Sequence, residues 1–103
     1  MWWPQGIGNG QTWQNVTAIR SAYVNYTNNT DRPIKVVVSA SSTSGTANNA
    51  YLYVSGVAIA AQAISFGGSG ALMGHVDAIV PAGAIYSFNP TGAAAIWAWA
   101  ELR

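Results

Sequence analysis

Apolar positions recur along this chain with a period of two, the spacing of half-buried strands. Ile34, Val36, Val38 and Ala40 share one face, and Lys35, Val37 and Ser39 the other. Leu72, Gly74, Val76, Ala78 and Val80 repeat the pattern over 72–80. The runs YLYV and VAIA flank Ser55-Gly56, a two-residue turn of the hairpin kind, so 51–54 and 57–63 are expected to pair. The alanines over 58–63 favour a helix in isolation, but the turn before them and Phe66-Gly67-Gly68-Ser69-Gly70 after them leave too little length for one. Further strands are predicted over 13–19, 21–27, 84–89 and 93–102. Turn formers punctuate them: Asn28 to Pro33, then Pro81-Ala82-Gly83 and Pro90-Thr91-Gly92, each with Pro second and Gly fourth in a type I turn. The Ser/Thr/Gly/Asn-rich stretch 41–50 is predicted as a loop. About eight short strands predict one all-β domain over 1–103, an antiparallel β-sandwich of jelly-roll-like type, with no repeat and no internal linker.

Charge changes the picture. The chain carries four basic and three acidic residues, 7% in all, while half of it is apolar. A soluble surface ordinarily holds ~25–35% charged side chains. Part of this surface is therefore expected to face another subunit rather than water. The final strand points the same way. Ile96, Ala98, Ala100 and Leu102 are predicted on one face and Trp97, Trp99 and Glu101 on the other, so neither face suits bare solvent.

Composition also excludes functions. Without cysteine there is no disulfide, zinc-thiolate or redox site. Arg20, Arg32, Lys35 and Arg103 form no basic stripe, so nucleic acid is not an expected partner. The uncharged window 78–100 is broken by Pro81, Gly83, Asn89, Pro90 and Gly92, which rules against a spanning helix, and Met1-Trp2-Trp3-Pro4 does not resemble a signal peptide. The sequons at Asn15, Asn25 and Asn28 are taken as ordinary strand-and-turn composition. Gly6-Ile7-Gly8-Asn9-Gly10 precedes a strand rather than a helix, so it is expected to be a tight entry turn and not a phosphate loop.

Five segments, in order, resemble the C-terminal tip domain of tail fibre proteins from tailed phages and prophages. They are Gly8-Asn9-Gly10-Gln11-Thr12-Trp13-Gln14-Asn15-Val16-Thr17 with Arg20; Tyr26-Thr27-Asn28-Asn29-Thr30-Asp31-Arg32-Pro33-Ile34; Tyr53-Val54-Ser55-Gly56; Val80-Pro81-Ala82-Gly83-Ala84-Ile85-Tyr86-Ser87; and Trp99-Ala100-Glu101-Leu102-Arg103. The resemblance implies a homotrimeric, receptor-binding tip at the distal end of a virion fibre, made in the host cytoplasm. Its partner would be a bacterial surface glycan such as lipopolysaccharide, or an outer-membrane protein. Residues 1–7 would lead in from a fibre shaft. The chain departs from the family at Asn15, where an acid that could pair with Arg20 is expected.

Candidate chemistry then narrows to binding. His75 and Asp77 share a strand face as a polar pair that suits a sugar hydroxyl, with no nucleophile elbow for a triad and no metal-ligand spacing. Asp31, Asp77 and Glu101 are the only carboxylates from which a glycosidase pair could be drawn. The aromatics are the stronger candidates, because sugar C–H faces stack on rings while neighbouring polar groups take the hydroxyls. Trp13, Trp97, Trp99, Tyr26 and Tyr86 are assigned to core or interface. Tyr23, Tyr51 and Tyr53 are predicted to face a ligand with His75 and Asp77, and the loops 41–50 and 66–74 to carry specificity. The expected function is noncovalent host recognition, non-enzymatic, with no cofactor and no metal. The alternatives are a structural trimerisation or end-capping domain and a small polysaccharide depolymerase.

Overall fold

The structure is a computed structural model and describes residues 7–42, 48–64 and 72–103. Eight strands are formed among them: β1 (Trp13–Asn15), β2 (Tyr26–Thr27), β3 (Ile34–Ser42), β4 (Asn49–Val54), β5 (Val57–Ala63), β6 (Leu72–Val80), β7 (Ile85–Phe88) and β8 (Ala95–Leu102). They make two four-stranded antiparallel sheets, ordered β1-β8-β3-β6 and β2-β7-β4-β5. The sheets enclose one apolar core, the arrangement of a β-sandwich.

Alternation dictates which side chains meet there. Ile34, Val36, Val38 and Ala40 of β3 and Val76, Ala78 and Val80 of β6 point inward from the first sheet. Ala50, Leu52 and Val54 of β4 and Tyr86 and Phe88 of β7 oppose them from the second. The β-branched strand β3 lies inside the first sheet and pairs over its whole length with β6 at the sheet edge.

The β4–β5 hairpin turns on Ser55 and Gly56, at φ of 53° and 80°. Two successive left-handed residues define the type I′ turn that matches strand twist. No atom lies within 4 Å of a Cβ built on Gly56, so its replacement is limited by backbone conformation alone. Gly56→Ala should lower stability by about 1 kcal/mol, whereas Ser55→Asn should raise it slightly, since Asn adopts this conformation more readily. Urea titration of both variants checks the pair of signs.

Several predictions are corrected by the geometry, among them the loop 41–50, whose ends belong to β3 and β4. The predicted strand 13–19 stops at Asn15 and passes into a 3-10 turn at Thr17–Ile19, because the Asn15 side chain accepts from Thr17 N (3.0 Å) and Oγ1 (2.7 Å). The predicted strand 21–27 shrinks to Tyr26–Thr27, since Tyr23 sits at φ 64°. The two Pro-Xaa-Gly turns are displaced toward the C-terminus, the first by one residue and the second by two. Ala84 N donates to Pro81 O at 3.1 Å, which places left-handed Gly83 third in its turn, and Ala94 N donates to Thr91 O at 3.4 Å, which places left-handed Gly92 second in its own.

The final strand departs most from simple alternation. Ser39 pairs with Ala98 but Ala40 with Ile96, which leaves Trp97 as the extra residue of a β-bulge. The bulge reverses the facing of everything on one side of it. Ile96 packs on the core from before the bulge and Trp99 and Glu101 are buried after it, while Trp97 remains 63% exposed. Trp97 and Trp99 therefore lie on opposite faces, contrary to the predicted shared face.

Candidate ligand-binding face

A buried ion cluster fixes the two sheets against each other and so sets the frame for any surface site. Glu101 is fully buried. Its carboxylate accepts from Arg20 Nε and Nη2 (both 3.0 Å), Arg103 Nη1 (2.7 Å), Tyr86 Oη (2.8 Å) and Trp99 Nε1 (3.0 Å). The Arg20 fork is bidentate and also lies 4.6 Å above the Tyr26 ring. Tyr26 in turn meets Trp99 edge-on at 5.8 Å and Tyr86 at 6.0 Å. Burial alone would raise the Glu101 carboxyl; the hydrogen bonds from Arg20 and Tyr86, with the arginine charge, outweigh it and hold the group below its ordinary range. Burial, and then donation to Glu101, push the Tyr86 hydroxyl up to about 12. The acid expected to pair with Arg20 is thus supplied by Glu101, 81 positions away. Withdrawn from solvent and saturated with donors, Glu101 cannot contact a substrate.

The predicted site residues divide between the two outer faces of the sandwich. Tyr51 and Tyr53 project outward from β4, their ring centroids 6.4 Å apart. Tyr23 joins the same sheet: its N–H donates to Phe88 O at 2.9 Å and its hydroxyl donates to Pro90 O. Asn89 N donates to Tyr51 O at 2.9 Å, so Tyr23, Asn89 and Tyr51 come from three adjacent segments along one end of the sheet. A bulky residue at positive φ is strained, and these two bonds hold Tyr23 there. Beside this row lies a groove of about 560 Å³ whose walls include Asn25, Tyr53, Ile85, Ser87 and Asn89.

His75 and Asp77 lie on the other sheet. They project from β6 opposite Ser39 and Val37, and Asp77 Oδ2 stands 3.8 Å from Lys35 Nζ. The structure does not bring them to the tyrosines. Their neighbours across the same outer face include exposed Trp13, Trp97, Met73 and Ile79. Among the described residues, no group of three His, Asp or Glu side chains converges on a metal position. Residues 43–47 and 66–71, within the loops expected to carry specificity, lie outside the described residues, as do Trp2 and Trp3.

No family model matches the chain, and no curated protein does. The face over β4 and β7 must therefore be judged by its own chemistry. It offers aromatic surfaces from Tyr51 and Tyr53, amides from Asn25 and Asn89 and a hydroxyl from Ser87. Such a surface can stack an apolar ring face while exchanging hydrogen bonds with its edge. Asn25, Ser87 and Asn89 were missed as site residues. The signal for two of them was present: Tyr86 and Phe88 are apolar at period two, which turns Ser87 and Asn89 outward. That Ser87 lies beside Tyr53 depends on the β4–β7 register, a long-range fact.

Proposed function

We propose that this chain is the host-recognising tip of a tail fibre from a tailed phage or prophage. It acts as a homotrimer on the virion, with a jelly-roll-like arrangement of its strands. It binds a bacterial surface glycan or outer-membrane protein noncovalently, without a cofactor and without cleaving bonds. The observation that carries this reading is the convergence of the resembling segments. Arg20, Tyr26, Tyr86 and Trp99-Glu101 come from four of them and meet in the buried cluster. The remaining segment, Tyr53 to Gly56, pairs with Tyr86 through Val54. A likeness spread thinly over the sequence is one physical unit in space.

Self-association is supported by the outer face of the β1-β8-β3-β6 sheet. Trp13 and Trp97 are 55% and 63% exposed there, flanking small Ala98 and Ala100, with Met73 and Ile79 toward the opposite edge. Large apolar side chains gathered on one face, in a chain so poor in charge, suit an interface. Light scattering at low concentration should give three times the subunit mass, and Trp97→Glu should give single subunits with an unchanged far-ultraviolet spectrum. A monomeric parent chain would remove the assembly from this proposal. Capture of bacteria by the parent chain tests the function itself. A trimer that captures no strain in a broad panel would instead be an end-capping domain.

A further inference from the structure

We infer that the groove over β4 and β7 takes an uncharged sugar unit, and that the chain discriminates against acidic glycans there. This rests on the proposal that the chain recognises a host surface, and it specifies the ligand chemistry of one site.

Every charged side chain of the sequence lies away from this groove. Arg20, Glu101 and Arg103 are consumed in the buried cluster. Lys35 and Asp77 pair on the far sheet, where His75 also lies. Asp31 and Arg32 belong to the segment between β2 and β3, and Arg32 donates to Asn9 O. None of these side chains lines the groove. A phosphate or carboxylate entering it would shed water with no cation to receive it, which is costly.

What the groove does offer is neutral and two-sided. Tyr53 presents a ring, with Tyr51 tilted at 51° beside it as a second apolar plane. Asn25, Ser87 and Asn89 supply donors and acceptors around that ring. The Asn89 Oδ1 is buried and accepts no hydrogen bond from the described residues. Turning this amide toward the groove would let a sugar hydroxyl donate to it. The volume of about 560 Å³ falls within the range of small-ligand sites, ~300–1,000 Å³. A ligand held by stacking and neutral hydrogen bonds has little Coulombic attraction to screen, so its affinity should be nearly independent of salt.

The test titrates the intact chain with maltotriose, mannotriose and galactotriose, and with trigalacturonic acid as the acidic counterpart, following amide and side-chain signals by nuclear magnetic resonance. At least one neutral trisaccharide should shift the Asn25 and Asn89 side-chain amides, and trigalacturonic acid should bind about tenfold more weakly or not at all. Raising salt from about 50 to about 500 mM should change the neutral affinity less than about twofold. Tyr53→Ala and Asn89→Leu should each weaken it about tenfold, with the core signals of Trp99 and Phe88 unmoved. Preference for the acidic sugar, shifts confined to the His75 face, no binding of any neutral sugar, or unaltered binding by Tyr53→Ala would each overturn the assignment. Capture of whole bacteria separates this from the broader proposal. If Tyr53→Ala and Asn89→Leu capture cells as well as the parent chain, the groove assignment falls and the tip reading stands. If the parent chain captures none, the tip reading falls.

Discussion

Glu101→Ala should destabilise the protein by about 3–5 kcal/mol, the usual consequence of removing one partner from a buried ion pair. The carboxylate is the shared acceptor for two guanidinium groups, a phenol and an indole. Without it, Arg20 and Arg103 keep positive charge beside each other at 12% and 17% side-chain exposure. A domain of this length has only ~5–15 kcal/mol of total stability, so the loss is a large share of the whole. The melting temperature should fall by at least about 12 °C, at roughly 4–8 °C per kcal/mol. Glu101→Gln keeps the shape and one acceptor oxygen but turns an amide N–H toward the arginines, so it should fall between Glu101→Ala and the parent. Asp77→Ala is the control. Its pairing with Lys35 is exposed and long, and its loss should cost less than about 1 kcal/mol. Equal effects at Glu101 and Asp77 in thermal unfolding would refute the central role of the cluster.

The pH dependence of that difference follows from the directions of the shifts. Glu101 is held below its ordinary value of 4.5, so the folded state binds its proton less readily than the unfolded chain does. Its contribution is complete above 4.5 and disappears as the pH falls through the depressed folded value. The gap between parent and Glu101→Gln should therefore be widest near neutral pH and narrow in acid. Tyr86 produces an alkaline limb of opposite sense. With its hydroxyl raised from 10 to about 12, its contribution is intact below pH 10 and is lost as the pH climbs toward 12. Tyr86→Phe should flatten that limb in denaturant titrations across the alkaline range.

Local pattern carried much of this fold and little of its polar interior. The β3 and β6 faces, over 34–40 and 72–80, were readable because each alternates without interruption and the two strands pair in continuous register. The Ser55-Gly56 hairpin was readable because its turn chemistry is contained in adjacent residues. The Trp97 bulge was not, since a bulge is a mismatch with a partner strand and β3 lies 55 or more positions earlier. For the same reason Glu101 passed as one of three carboxylates. Its donors come from positions 20, 86, 99 and 103, and only the last two are near in sequence. The tyrosines of β4 were legible as an outward-facing pair, but the face they complete with Asn25, Ser87 and Asn89 needed the sheet order. Period two also put His75 and Asp77 on a common face correctly; it could not say that this face belongs to the opposite sheet.

Asn28→Asp should cost about 3–5 kcal/mol at neutral pH, although it replaces one amide nitrogen by oxygen. Asn28 is fully buried. Its Nδ2 donates to the carbonyls of Arg32 (2.8 Å), Val80 (3.0 Å) and Pro81 (3.2 Å), and its Oδ1 accepts from Thr30 N (3.1 Å) and Oγ1 (2.6 Å). Its backbone N–H donates to Ala84 O, and its carbonyl accepts from Gly83 N. One side chain thus clasps the loop leading into β3 to the point where the chain leaves β6 in one sheet for β7 in the other. An aspartate would retain the bonds from Thr30 and face three carbonyl oxygens with a negative oxygen. Burial beside those oxygens raises the folded pKa of the introduced carboxyl above its ordinary ~3.9. A raised folded value means that the variant is least impaired below ~3.9, where the neutral acid can still donate one hydrogen bond, and most impaired above the folded value. The difference between parent and variant should therefore grow as pH rises from acid, as measured by urea unfolding at a series of pH values. Asn28→Leu, which removes the amide without adding charge, should be destabilised by an amount independent of pH over the same interval. If Asn28→Asp tracked Asn28→Leu at every pH, the three carbonyl contacts would not be what holds the crossover.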